Sequence, residues 1–85
     1  MIKEQTFNEH YDRLMRTGLS FEVFIDTRHH VDAERWCRKN FGKRWGLDNR
    51  NGVWGYFWAG PDRHSQYRFN FAREQDMMWF ILRWQ

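Results

Sequence analysis

At 85 residues the chain can bury only about 60–65 % of the surface its unfolded form exposes. One dense core is therefore required, and eight Phe, six Trp and three Tyr supply the rings for it. A single cysteine excludes an internal disulfide and a cysteine-built zinc cage, and fits a reducing compartment. The net charge of +3 conceals a division, with residues 1–34 at −3, residues 35–73 at +7 and residues 74–85 at −1.

Thr6-Phe7-Asn8-Glu9 has the form of a capping box. Phe7, Tyr11, Leu14 and Met15 follow at helical spacing, and Gly18 ends the helix. Residues 19–26 alternate as a strand, with Leu19, Phe21, Val23 and Ile25 on one face and Ser20, Glu22, Phe24 and Asp26 on the other. A second helix fits 31–41. Asp32 and Glu34 lie in its first turn, Arg38 and Lys39 near its end, Gly42 behind it, and Ala33, Trp36, Cys37 and Phe41 on its apolar side.

Residues 43–48 read as a strand leading into the turn Asn49-Arg50-Asn51-Gly52, with the segment 51–60 supplying the return strand. An even-numbered loop places Trp45 and Leu47 on the same face as Trp54, Tyr56 and Trp58, whereas an odd-numbered loop would set Val53, Gly55 and Phe57 beside Trp45. Turn chemistry favours the even loop. Gly60 to Ser65 forms the next loop, and residues 67–71 alternate as a strand. Residues 73–84 start with acidic residues and favour a final helix, with a strand near the end as the alternative because Met78, Trp79 and Leu82 leave little of it polar. The expected fold is a single α+β domain over residues 1–85, in the order α-β-α-β-β-β-α. Its four-stranded, mostly antiparallel sheet carries helices packed largely on one face.

Catalytic and metal chemistry find little support. His29 and His30 are adjacent, so their side chains diverge, and His10, His64 and Cys37 complete no ligand spacing with them. Cys37 lies on an apolar helix side, where a thiol is inert. Ser20 and Ser65 lack a nucleophile elbow, and Glu22 and Asp26 stand about 13 Å apart along an extended strand. There is no glycine-rich phosphate loop. The sequence therefore reads as a non-enzymatic protein with no metal site, no catalytic residues and no cofactor.

The basic segment carries the binding candidates. Arg35, Arg38, Lys39, Lys43 and Arg44, with Phe57 and Arg68, suit an acidic partner surface. In the even register the outer sheet face holds Phe24, Arg44, Gly46, Val53, Gly55, Phe57, Arg68 and Asn70. Phe24, Arg44, Arg50, Phe57 and Arg68 would then form a stacking surface for single-stranded nucleic acid or a nucleotide. Alternatively, Phe24 and Phe57 pair across strands or lie under the first helix. An outward aromatic strand also allows a homodimer through the sheet or its edge. The opening residues Met1 to Gln5 lead into polar sequence rather than a secretory signal. The longest apolar run, Met77 to Leu82, falls far short of the ~20 residues a bilayer requires. A cytoplasmic protein without a membrane partner is expected.

The alternating aromatic strand Tyr67-Arg68-Phe69-Asn70-Phe71, the acidic helix start, and Asp76, Phe80, Leu82, Arg83 and Trp84 resemble the ends of small bacteriophage accessory proteins. The resemblance covers the C-terminal third. It implies a phage protein of the host cytoplasm that binds, and thereby inhibits or redirects, a host protein or an antiviral-defence factor.

Overall fold

The computed structural model describes the backbone of residues 2–58 and 66–84, and side chains from residue 9 onward. Phe7, the Gly60–Ser65 loop and His64 lie outside the described side chains. Helix α1 spans Ile2–Gly18, β1 Phe21–Asp26, α2 His30–Phe41, β2 Trp54–Trp58, β3 Gln66–Phe71 and α3 Glu74–Trp84, with one 3₁₀ turn, Thr27–His29, before α2. The first helix starts four residues ahead of Thr6, so the capping-box residues fall inside it rather than at its end. Asp26 caps the 3₁₀ turn instead, its carboxylate accepting the Arg28 backbone N–H at 2.8 Å.

The architecture is α+β, and the described strands form a three-stranded antiparallel sheet ordered β1-β3-β2. Its register aligns Phe21, Phe71 and Trp54 in one row, Val23, Phe69 and Tyr56 in the next, and Ile25, Tyr67 and Trp58 in the third. Because side chains alternate along a strand, all nine lie on one face. Helix α2 packs over β2 on this face, and α3 packs over β1 and β3. Val23, Ile25, Ala33, Cys37, Trp54, Phe69, Phe71 and Phe80 make the main core. Phe80 meets Phe69 at 5.0 Å and Phe71 at 5.1 Å between ring centres.

The opposite face carries Glu22, Asn70 and Gly55 in one row and Phe24, Arg68 and Phe57 in another. Helix α1 lies across it, so the helices are divided two and one. Met15, Leu19 and Trp45 form a second core cluster there, joined by Tyr11, Leu14 and Phe57. Gly55 is what allows the close approach. A Cβ on it would stand 2.7 Å from Met15 Sδ and 3.2 Å from Leu19 Cδ1.

The expected strand at 43–48 is absent, and with it the fourth strand. The chain doubles back early, through reciprocal backbone hydrogen bonds of Gly46 and Asn49 at 3.0 and 3.2 Å. Asn49 Nδ2 then donates to the carbonyls of Arg44 at 3.0 Å and Lys43 at 3.2 Å. These side-chain bonds compete with a ladder, and the one backbone hydrogen bond from this segment to β2 among the described residues runs from the Trp45 N–H to the Trp54 carbonyl at 2.7 Å. With pairing this short, strand parity does not propagate. Trp45 turns to the α1 side and Leu47 is exposed, while Trp54, Tyr56 and Trp58 do share the face expected for them.

Candidate functional site

Of the sheet residues expected to stack on nucleic acid, Arg68 is buried and Phe24 and Phe57 are half-buried in the fold. Arg68 is 4 % exposed. Its guanidinium forms an ion pair with Asp12 of α1, donates through Nε to Asn70 Oδ1 at 2.6 Å, and stands 5.6 Å over the Phe57 ring. Asn70 Nδ2 donates onward to the Leu19 carbonyl at 3.0 Å, and Arg16 of α1 meets Glu22 of β1 at 2.9 Å. Phe57 packs against Tyr11 with ring centres 6.0 Å apart. This polar cluster bolts α1 to the sheet. Phe57, expected among the stacking residues, is half-buried against α1.

The remaining basic candidates separate by their partners. Arg38 is paired with Glu34 at 2.7 Å and Lys43 with Asp48 at 3.0 Å. Arg44 does not join Arg68 on the outer sheet face. Its guanidinium lies 5.2 Å over Tyr56, at the rim of the main core. Arg50 is exposed in the loop before β2. Arg35 and Lys39 project from α2, exposed and in no ion pair among the described residues.

The histidines diverge, with His29 beside Trp84 at 6.3 Å while His30 stacks on Tyr67 at 4.0 Å. Glu22 and Asp26 are likewise drawn apart, to Arg16 and Arg28. No grouping of three or more His, Cys, Asp or Glu side chains that could hold a metal ion occurs among the described residues. Burial pushes the Cys37 thiol far above its ordinary pKa. A depression of about 400 Å³ on α1 is lined by Glu9, Asp12, Arg13, Arg16 and Thr17, two of them already engaged in ion pairs. No helix among the described residues is long and apolar enough to cross a membrane.

The most distinctive surface lies on α3, where sequence reading named no site residue. Asp76 and Phe80 point inward, and Asp76 is held by Arg73 at 2.9 Å. On the outward side Met78 is 53 %, Trp79 50 % and Leu82 83 % exposed. The Trp79 ring is braced edge-on by Trp36 of α2 at 5.3 Å and by Phe41 at 5.7 Å. Arg35 and Lys39 flank Trp36 along α2, and Arg83 lies one turn beyond Trp79 with its guanidinium 4.3 Å over Trp84. The signal for this face was present in the sequence: α3 is apolar nearly all round, more than one buried stripe needs.

No family model, curated protein or solved structure matches this chain. The functional reading therefore rests on the chemistry of this surface.

Proposed function

We propose that this chain is a small, non-enzymatic binding protein that engages a partner protein through the outward face of α3. One observation carries the reading. Met78, Trp79 and Leu82 are half or more exposed at spacings that put them on one side of the helix. They offer an apolar surface on the order of 400 Å², within the range of the largest patches on typical monomers and often functional. A braced, half-exposed tryptophan is the kind of anchor that dominates protein interfaces.

The resemblance of the C-terminal third to small phage accessory proteins supplies the partner class, a host protein or antiviral-defence factor in the bacterial cytoplasm that is inhibited or redirected. The test is affinity capture from bacterial lysate with wild-type protein and with Leu82→Glu. A protein retained by the wild type and lost from the variant supports the reading. Identical retention by both, or no retained protein, removes it.

A nucleic-acid or nucleotide partner is the second reading, favoured by Arg44 over Tyr56 with half-exposed Trp58 on the same strand face. Fluorescence anisotropy with oligonucleotides across a salt series tests it. Binding with a steep salt slope that Arg44→Ala weakens supports it, and no binding at low salt dismisses it.

A further inference from the structure

We infer that the α3 face takes an acidic amphipathic helix, an inference that rests on the binding-protein reading and names the chemistry of its partner. Gln75, Met78, Trp79 and Leu82 occur at i, i+3, i+4 and i+7, and all four are exposed. That spacing presents a continuous ridge along the helix axis, the surface against which a second helix packs. The ring of Trp79 is already fixed by Trp36 and Phe41, so docking against it orders little that was free beforehand.

Charge selects the occupant. Of the basic residues near this ridge, Arg73 is bound to Asp76 and Arg38 to Glu34. Arg35 and Lys39 on the α2 flank are in no ion pair among the described residues, and Arg83 rests on an indole rather than a carboxylate. Asp32, one turn before Trp36, and Glu74, one turn before Met78 on α3, are the exposed opposing charges, so that Arg35, Lys39 and Arg83 still outnumber them three to two. The flank is net basic, and its long side chains can lay their apolar stems beside a docked helix while offering their charge to its carboxylates.

A second copy of this chain is a poorer occupant. In an antiparallel two-fold pairing along α3, each α2 flank faces the same flank of the other copy. Arg35 and Lys39 of both copies would then be brought to one side. A partner helix with apolar residues at i, i+3 or i+4, and i+7, bordered by Glu or Asp, meets the ridge and neutralises the flank together.

The test is a selection of displayed helical peptides, with the apolar positions fixed and the flanking positions randomised among Glu, Lys and Gln, against immobilised wild-type protein. Enriched peptides are then measured by fluorescence anisotropy. Glu-rich flanks should be enriched. Their affinity should fall by at least about tenfold with Leu82→Glu, and by a similar factor with Arg35→Glu/Lys39→Glu at low salt. Leu82 is 83 % exposed, so that variant should keep the wild-type circular dichroism, which verifies that lost binding is not lost folding.

Peptides that are enriched without acidic flanks but lost with Leu82→Glu overturn the acidic partner and leave the binding-protein reading intact. No enrichment, or enrichment indifferent to Leu82→Glu, overturns both. Sedimentation of the wild type as a dimer that Leu82→Glu converts to monomer assigns the face to a second copy and overturns the inference.

Discussion

Replacing Asp12 by alanine isolates the bond between α1 and the sheet. The Arg68 side chain is 5 % exposed and that of Asp12 24 %, so the substitution leaves a buried guanidinium without its carboxylate. Breaking a buried pair in this way costs about 3–5 kcal/mol. The lower end applies here, because Asn70 Oδ1 and the Phe57 ring still face Arg68. A loss of about 3 kcal/mol is a large share of the roughly 4–13 kcal/mol expected for a domain this size, and corresponds to a fall in Tm of roughly 12–24 °C.

Arg68→Met removes the charge along with its need for a partner, so the double variant Asp12→Ala/Arg68→Met should be less destabilised than the sum of the singles, by at least about 1 kcal/mol. Urea unfolding followed by tryptophan fluorescence measures all four corners, since Trp45 and Trp54 are buried in the two clusters. Strict additivity, or a loss below about 0.5 kcal/mol for Asp12→Ala, would mean that α1 is not held on the sheet by this pair. The packing of Met15 and Leu19 over Gly55 would then be what holds the helix there.

Gly55→Ala should cost about 1–3 kcal/mol by forcing a methyl against Met15 Sδ. Gly18→Ala, with no atom within 4 Å of the new Cβ, should be neutral or stabilising by up to about 1 kcal/mol, and the same urea titrations compare them. Cys37, fully buried with its thiol pKa raised by desolvation, should react with a disulfide reagent at neutral pH far more slowly in native protein than in guanidinium; equal rates would contradict its burial. Asp26 has a carboxyl pKa lowered first by the Arg28 backbone N–H. Its folded value lies below the unfolded one, so its contribution is present above about pH 3.8 and fades as pH falls below that value. The stability gap between wild type and Asp26→Ala should therefore close in acid, and a gap independent of pH would refute the cap.

What was legible in the sequence was the part encoded locally. Alternation in residues 19–26 located β1, which begins two residues later at Phe21, and alternation in Tyr67 to Phe71 located β3, while the helical stripe through Ala33 and Cys37 located α2 and its buried side. The 43–53 segment was misread because its Asn-Gly turn chemistry is real but secondary. Asn49 spends its amide on the Lys43 and Arg44 carbonyls, which closes a tighter turn three residues earlier. Arg68 was misplaced for a different reason. Its alternation with Phe69 correctly put it on the second sheet face, but nothing local reveals that a carboxylate 56 positions away arrives on α1 to bury it. Alternation fixes a face, and only the tertiary pairing decides whether that face is wet.

The same distinction explains why the basic segment narrows to a smaller site than its charge implied. Phe57 and Arg68 are spent on holding α1 and Arg38 and Lys43 on carboxylates, while Arg44, over the Tyr56 ring, is set apart from the sheet face expected for it. The main core closes with Phe80 and Phe69 in contact beneath α3, and of the outward side chains Trp79 adds packing against Trp36 and Phe41 while keeping half its surface exposed. Leu82 at 83 % exposure buries little surface in the fold, and together with Met78 and Trp79 it forms a contiguous exposed apolar patch rather than a scattered residue. An exposed apolar ridge beside Arg35 and Lys39, which are in no ion pair among the described residues, is the reason the partner site is proposed on α3 rather than on the sheet.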